Sequence, residues 1–227
     1  MSKPSRAIKP KRRYDLIAFD WDGTLFDSTQ HIARSIQQAV KDVGGAMPDE
    51  AAAAFVIGLP VHAALARVAP DVKPEQYEAL EMRFRHHFHA LAHELTLFPG
   101  VVEMLSLLRE THHGLGIATG QSRAGLNRLL ASSPLSAFFD ATRTADETRG
   151  KPDPQMLKEL MAHCGVSAER TLMVGDTCHD LEMAKRAGCD SLAVTYGAQK
   201  AADLTPFGPL ALVQSVDEMV QWFHANG

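Results

Sequence analysis

Residues 15–24, Asp-Leu-Ile-Ala-Phe-Asp-Trp-Asp-Gly-Thr, place a four-residue apolar run, Leu16 to Phe19, directly before two carboxylates, Asp20 and Asp22. A continuous run without polar alternation reads as a strand buried on both faces, as inside a parallel sheet. Gly23 ends it. Two carboxylates one residue apart at a strand end repel each other unless a cation or a shared proton compensates. Taken alone, Asp-x-Asp-Gly-Thr also fits a plain turn closed by an Asx hydrogen bond, because Asp and Gly are turn residues.

The rest of the chain narrows the choice. After Thr24 the spacing of Ile32, Ile36, Ala39, Val40 and Val43 predicts a helix, with a cap at Asp27 or Ser28 and a stop at Gly44-Gly45. Residues 49–57 and 61–69 read as two short helices split by Gly58 and Pro60. A longer helix runs from Pro74 to about Leu95, with Tyr77, Leu80, Phe84, Phe88, Leu91 and Leu95 on one stripe. From Phe98-Pro99-Gly100 onward helices and strands alternate. Helices are predicted near 100–110, 123–131, 154–163, 178–187 and 215–225, and strands at 115–118, 171–174, 191–194 and 210–213. Neighbouring strands in such a sheet are normally joined by one helix, yet about 90 residues separate the first strand from the second. The economical division is a basic tail over 1–13, an α/β core with a parallel sheet over 14–26 and 97–227, and an inserted α-helical cap over 27–96. Open α/β sheets place their ligand sites at the strand end from which this cap would grow.

Three apolar strands end alike. Leu16–Phe19 runs into Asp20, Leu115–Ala118 into Thr119-Gly120, and Leu172–Val174 into Gly175-Asp176. Parallel pairing would bring Asp20, Asp22, Thr119, Asp176 and Asp180 to one crevice. Four carboxylates there are untenable without a cation, and hard oxygen ligands with room for water suit Mg²⁺. Thr119 alone would read as a helix cap. Lys151 alone, in Arg-Gly-Lys-Pro-Asp-Pro, would read as an exposed loop lysine; beside this cluster it looks like a clamp for phosphate or carboxylate.

In this order and spacing, Asp20-x-Asp22-Gly-Thr24, Thr119, Lys151 and Gly175-Asp176-x-x-x-Asp180 resemble the four motifs of the haloacid dehalogenase superfamily. The helical insert, Leu-Phe-Pro-Gly-Val and Gly-Lys-Pro-Asp-Pro resemble its phosphoglycolate phosphatase-like branch. The resemblance covers nearly the whole chain. It implies a Rossmann-like core under a mobile helical cap and a Mg²⁺-dependent phosphatase acting on a small phosphomonoester. Asp20 would be the nucleophile that forms an aspartyl-phosphate, and Asp22 the general acid and base. Asp20, the Asp22 carbonyl and Asp176 would hold the metal, with Asp180 a ligand or ordering group. Thr119, the Gly120 amide and Lys151 would hold the phosphoryl oxygens, with Thr24 and Gly175 in support. A phosphomutase would use the same residues. A receiver-type signalling domain has its acidic pair before the acceptor strand and carries no cap.

Composition excludes other classes. The chain has a net charge of −4, but residues 1–13 hold six Lys and Arg and no acid, which leaves about −10 on the remainder. That argues against nucleic-acid binding by the body and makes the first 13 residues a solvated arm. No apolar run is long enough for a membrane span, the basic start lacks a signal peptide's apolar stretch, and three unpaired cysteines fit a reduced cytoplasmic setting. The cap stretch Val56-Ile-Gly-Leu-Pro-Val-His62 offers only His62 as a basic anchor. His86, His87, His89 and His93 read as a polar helix face rather than a zinc site, since two ligands at helical spacing do not close a tetrahedral site.

Overall fold

The first strand is central. The computed structural model describes residues 13–90, 95–131 and 133–226. Its sheet has six parallel strands in the order β3-β2-β1-β4-β5-β6, with β1 Leu16–Phe19, β2 Gly114–Thr119, β3 Ala141–Thr144, β4 Thr171–Gly175, β5 Asp190–Val194 and β6 Leu212–Val213. Chain order runs outward from β1 in both directions, which creates a crevice at the carboxyl ends of β1, β2 and β4. Phe19 stands opposite Ile117 on one side and Val174 on the other, so Asp20 leaves the sheet level with Ala118 and Gly175.

The apolar run of β1 is explained by two layers. Side chains alternate across a strand. Ile17 and Phe19 join a cluster with Leu105, Leu108, Met219 and Phe223 from α5 (Val101–Glu110) and α10 (Val216–Asn226). Leu16 and Ala18 face Met156, Leu157, Leu160 and Met183 from α7 (Gln155–Cys164) and α8 (Cys178–Ala187). The remaining core helices are α6 (Arg123–Ala131) and the short α9 (Ala201–Leu204). All-helical structure between β1 and α5 comprises α1 Thr29–Asp42, α2 Glu50–Phe55, α3 Val61–Val68 and α4 Tyr77–Ala90. These build a separate apolar core of their own from residues that include Ile36, Ala53, Leu65 and Leu80. The chain is thus an α/β protein whose parallel sheet carries an inserted helical cap.

Three expectations need amendment. Strand β3 is absent from the sequence reading because Ala-Thr-Arg-Thr carries no apolar run. Among the described residues it is an edge strand paired with β2 alone, and Thr142 and Arg143 are half-buried. The long cap helix begins with a 3₁₀ turn, Pro74–Gln76, its described α part ends at Ala90, and Leu95 lies outside it. Leu91 and His93 lie outside the described residues, as does the basic arm except for Arg13, whose guanidinium meets Asp190 at 2.9 Å. The last strand is only Leu212–Val213. Among the described residues no helix is long and apolar enough to cross a membrane. Cys164, Cys178 and Cys189 are free thiols.

Candidate active site

Strand ends deliver the acidic groups. Asp20 continues the sheet ladder by donating its N–H to the Val174 carbonyl, which aims its side chain into the crevice, where it is 1% exposed. Asp20 Oδ1 accepts from the Trp21 N–H at 2.6 Å and lies 2.6 Å from Lys151 Nζ. Oδ2 is buried without a partner, 3.7 Å from where a β-carbon on Gly58 of the cap would sit. Burial pushes the Asp20 carboxyl well above the usual range; Lys151 opposes this, and Asp180 and Asp176 add to it.

Asp176, beyond β4, accepts from Thr24 Oγ1 at 3.0 Å and from the Ala198 N–H at 2.7 Å. Burial, then the neighbouring Asp180, push it up to about 7. Gly23 makes the approach of Asp176 possible: its φ is +76°, and a β-carbon there would collide with the Asp176 carboxylate. Asp180 sits in the first turn of α8, where Oδ2 accepts from the Thr177 N–H at 3.1 Å and hydroxyl at 2.7 Å. Its other oxygen is 2.7 Å from Lys151 Nζ. Gly175 packs tightly beneath it, since any side chain there would meet Asp180.

Lys151 is not an exposed loop lysine. It is 2% exposed and bridges Asp20 and Asp180. Burial would lower the pKa of its ammonium, but the two carboxylates more than offset this and hold it charged. Thr119, buried at the end of β2, accepts from the Gln121 N–H at 3.1 Å, and Gly120 follows on the crevice wall.

Asp22 faces another way. Its Oδ1 accepts from Ser28 Oγ at 2.7 Å and its Oδ2 from Gln121 Nε2 at 2.8 Å. Burial raises its pKa, and those two hydrogen bonds temper the rise. Ser28 occupies the N-cap position of α1, as one of the two expected caps, but its hydroxyl serves Asp22 and makes no cap hydrogen bond. Ser28 as a partner of Asp22, Gln121, Thr177 and the Ala198 amide all escape the sequence reading. Only Gln121 had a local signal, its place two residues past Thr119.

Carboxylate oxygens of Asp20, Asp176 and Asp180 lie within 4.8 Å of one another, whereas the Asp22 carboxylate is not in that group. Three buried acids face one lysine, and one acid keeps an unpartnered oxygen, so this donor set fits a hard divalent cation. Among the described residues the cap histidines do not converge. His62 pairs with Glu81, His87 with Asp42, and His89 accepts from Arg128.

The cap sits on this crevice. His179 Nε2 donates to the Phe55 carbonyl of the cap at 3.0 Å, and a β-carbon on Gly120 would lie 2.7 Å from the Gly58 carbonyl oxygen. At Gly150, beside Lys151, a β-carbon would collide with the Pro60 ring.

Comparison with known proteins bears on the family. The family model for haloacid dehalogenase-like hydrolases matches residues 17–194. The probable phosphatase IndB of Dickeya dadantii is 36% identical over 219 residues, covering 92% of this chain and 94% of that protein. A phosphoglycolate phosphatase of Aliivibrio fischeri is 32% identical over 191 residues, covering 80% and 84%. The crystal structure of a hydrolase from Pseudomonas syringae superposes with a TM-score of 0.84 at 22% identity, over 94% of this chain and 98% of that one. With a family model matched over residues 17–194 and a relative above 30% identity, the chain belongs to the haloacid dehalogenase-like hydrolase family.

Proposed function

We propose that the chain is a Mg²⁺-dependent phosphomonoesterase working through a phosphorylated Asp20. The observation that carries this reading is a carboxylate held by Lys151 through one oxygen while its other oxygen is buried, unpartnered and turned toward the cap. In the first step Asp20 Oδ2 attacks phosphorus, the bond from phosphorus to the alcohol oxygen breaks, and Asp22 gives that oxygen a proton. In the second step Asp22 takes a proton from water, the water oxygen attacks phosphorus, and the bond to Asp20 breaks to release phosphate. The raised pKa of Asp22 suits a group that must be protonated in one half of the cycle and ionised in the other. Lys151, Thr119 and the Gly120 amide would hold the phosphoryl oxygens, and Thr24 would brace Asp176. Asp20, Asp176, Asp180 and the Asp22 carbonyl would hold the cation, with Asp180 also fixing Lys151. When bound, the cation offsets the charge of the incoming dianion and polarises its oxygens.

In this reading residues 27–96 act as a cap over a core of 14–26 and 97–227, excluding water while the ester is bound. A panel of phosphorylated small molecules, assayed with and without Mg²⁺, tests the function. Turnover should fall at least ~10²-fold in excess chelator and return with Mg²⁺. Undiminished turnover in chelator would sink the metal assignment. A phosphomutase would use the same residues but retain the phosphoryl group on Asp20; the hydrolase reading expects inorganic phosphate in step with free alcohol.

Cap seating gives a second expected result. Because a β-carbon at Gly150 would strike Pro60, Gly150→Ala should lower kcat/KM by ~10–10²-fold through incomplete closure. Pro60→Ala removes the ring atoms it strikes, so the double variant should recover most of the loss. Failure of that rescue would move the role of Gly150 from closure to the loop bearing Lys151.

A further inference from the structure

Beside Asp22 lies a chamber of about 60 Å³. Its walls come from α1, the turn after α2, α3 and α4, and include Ile32, Ile36, Ile57, Leu65, Phe84 and Phe88. Its polar boundary is the Asp22 carboxyl with Gly120 and Gln121, and no Lys, Arg or His is among the residues that line it. Voids of this size are uncommon inside close-packed cores. This one opens beside the group that would protonate the leaving oxygen.

Cations line the adjoining groove. A groove of about 530 Å³ between cap and core shares Val61, Phe84, Phe88, Gly120 and Gln121 with the chamber, and is rimmed by His62, Arg85, His89 and Arg128. Glu81 already pairs with both Arg85 and His62, and Arg128 donates to His89. An alcohol leaving through Asp22 therefore meets hydrocarbon first. A charged group close to its oxygen would be stripped of water, find no cation in the chamber and lie against Asp22.

We propose that the substrate is the phosphate monoester of an uncharged, apolar alcohol whose organic part fills this chamber. At ~25–30 Å³ per carbon-sized group the chamber holds about two such groups, the ones next to the ester oxygen. This rests on the phosphatase reading and adds the substrate class. It sets the chain apart from hydrolases whose alcohol carries a carboxylate near the ester oxygen.

Two esters of matched shape test it: 3-methylbutyl phosphate and 3-phosphonooxypropanoate. They differ by an isopropyl group in place of a carboxylate, and their alkoxides are of similar basicity, so chemistry alone does not separate them. With Mg²⁺ and the full chain, kcat/KM should favour the apolar ester by at least ~10²-fold. Calorimetry on the Asp20→Asn protein should show the same order of affinity without turnover. Phe84 is half-buried on the boundary between chamber and groove, so Phe84→Lys is a tolerable site for a cation, and it should shrink the preference at least ~10-fold. Equal use of the two esters, or preference for the carboxylate, with p-nitrophenyl phosphate still hydrolysed, overturns the substrate class and leaves the phosphatase. An unchanged preference in Phe84→Lys also counts against the chamber. Absence of turnover on every ester, p-nitrophenyl phosphate included, overturns both.

Discussion

Asp20→Asn is expected to reduce turnover by at least ~10³-fold while the protein stays folded, because the amide keeps the shape of the side chain but cannot attack phosphorus. The same substitution should raise thermal stability in metal-free buffer. Asp20, Asp176 and Asp180 share one counter-charge, Lys151, and burial lifts the folded-state pKa of Asp20 above its unfolded value. A carboxyl with a raised folded pKa binds more protons in the folded state. Its contribution to stability is therefore lost as pH rises from the unfolded pKa through the folded one. Once pH has risen through that range the ionised Asp20 is a burden that Asn lifts, so the gain should grow with pH. Steady-state kinetics and a melting curve in chelator check the two halves together. Wild-type turnover in the variant would show that another group attacks; lost activity with a lowered melting temperature would show that Asp20 acts mainly through the fold.

Asp22→Asn should separate the two halves of the cycle. If Asp22 protonates the leaving oxygen, the variant should slow release of an alkyl alcohol by ~10²–10⁴-fold and affect p-nitrophenyl phosphate far less, since nitrophenolate departs without a proton. Because Asp22 also activates water, the variant should release one rapid burst of nitrophenol and then stall with phosphate on Asp20. Geometry favours a clean test. Asn can still accept from Ser28 Oγ, and the Gln121 amide can turn over to meet it. A pre-steady-state trace with intact-mass analysis reads both events. If both substrates are slowed alike, with neither burst nor adduct, Asp22 is acting by shaping the site rather than by moving protons.

Much of the fold is legible in the sequence because the strongest signals are periodic. Leu16 to Phe19, Leu115 to Ala118 and Leu172 to Val174 are apolar on both faces and become the three central strands. The spacing of Ile32, Ile36, Ala39 and Val40 places α1 to within a few residues. Strand β3 is invisible for the converse reason: at the sheet edge polar partners suffice, and half-buried Thr142 and Arg143 are met by Arg123 and Glu159 with no apolar demand on them. The acidic residues were legible as chemistry, since Asp20 and Asp176 follow neighbouring parallel strands and Asp180 opens the helix after β4; these three converge, while the Asp22 carboxylate stands apart.

Partner choice is another matter. Lys151 comes from a loop whose composition reads as surface, and it is buried because two carboxylates more than 25 residues away in the chain, one just past the end of β1 and one in the first turn of α8, meet it from both sides. Ser28 carries the signature of a helix cap, and the position of Asp22 in space draws its hydroxyl away from that task. The apolar chamber belongs to no segment at all: Ile36, Leu65, Phe84 and Asp22 are each ordinary in their own stretch of chain. Strand, helix, motif order and family follow from the sequence because periodicity and spacing act within a few residues. Which oxygen stays unpartnered, which lysine is buried and what kind of alcohol fits beside Asp22 depend on the meeting of surfaces far apart in the chain, and those meetings are a property of packing.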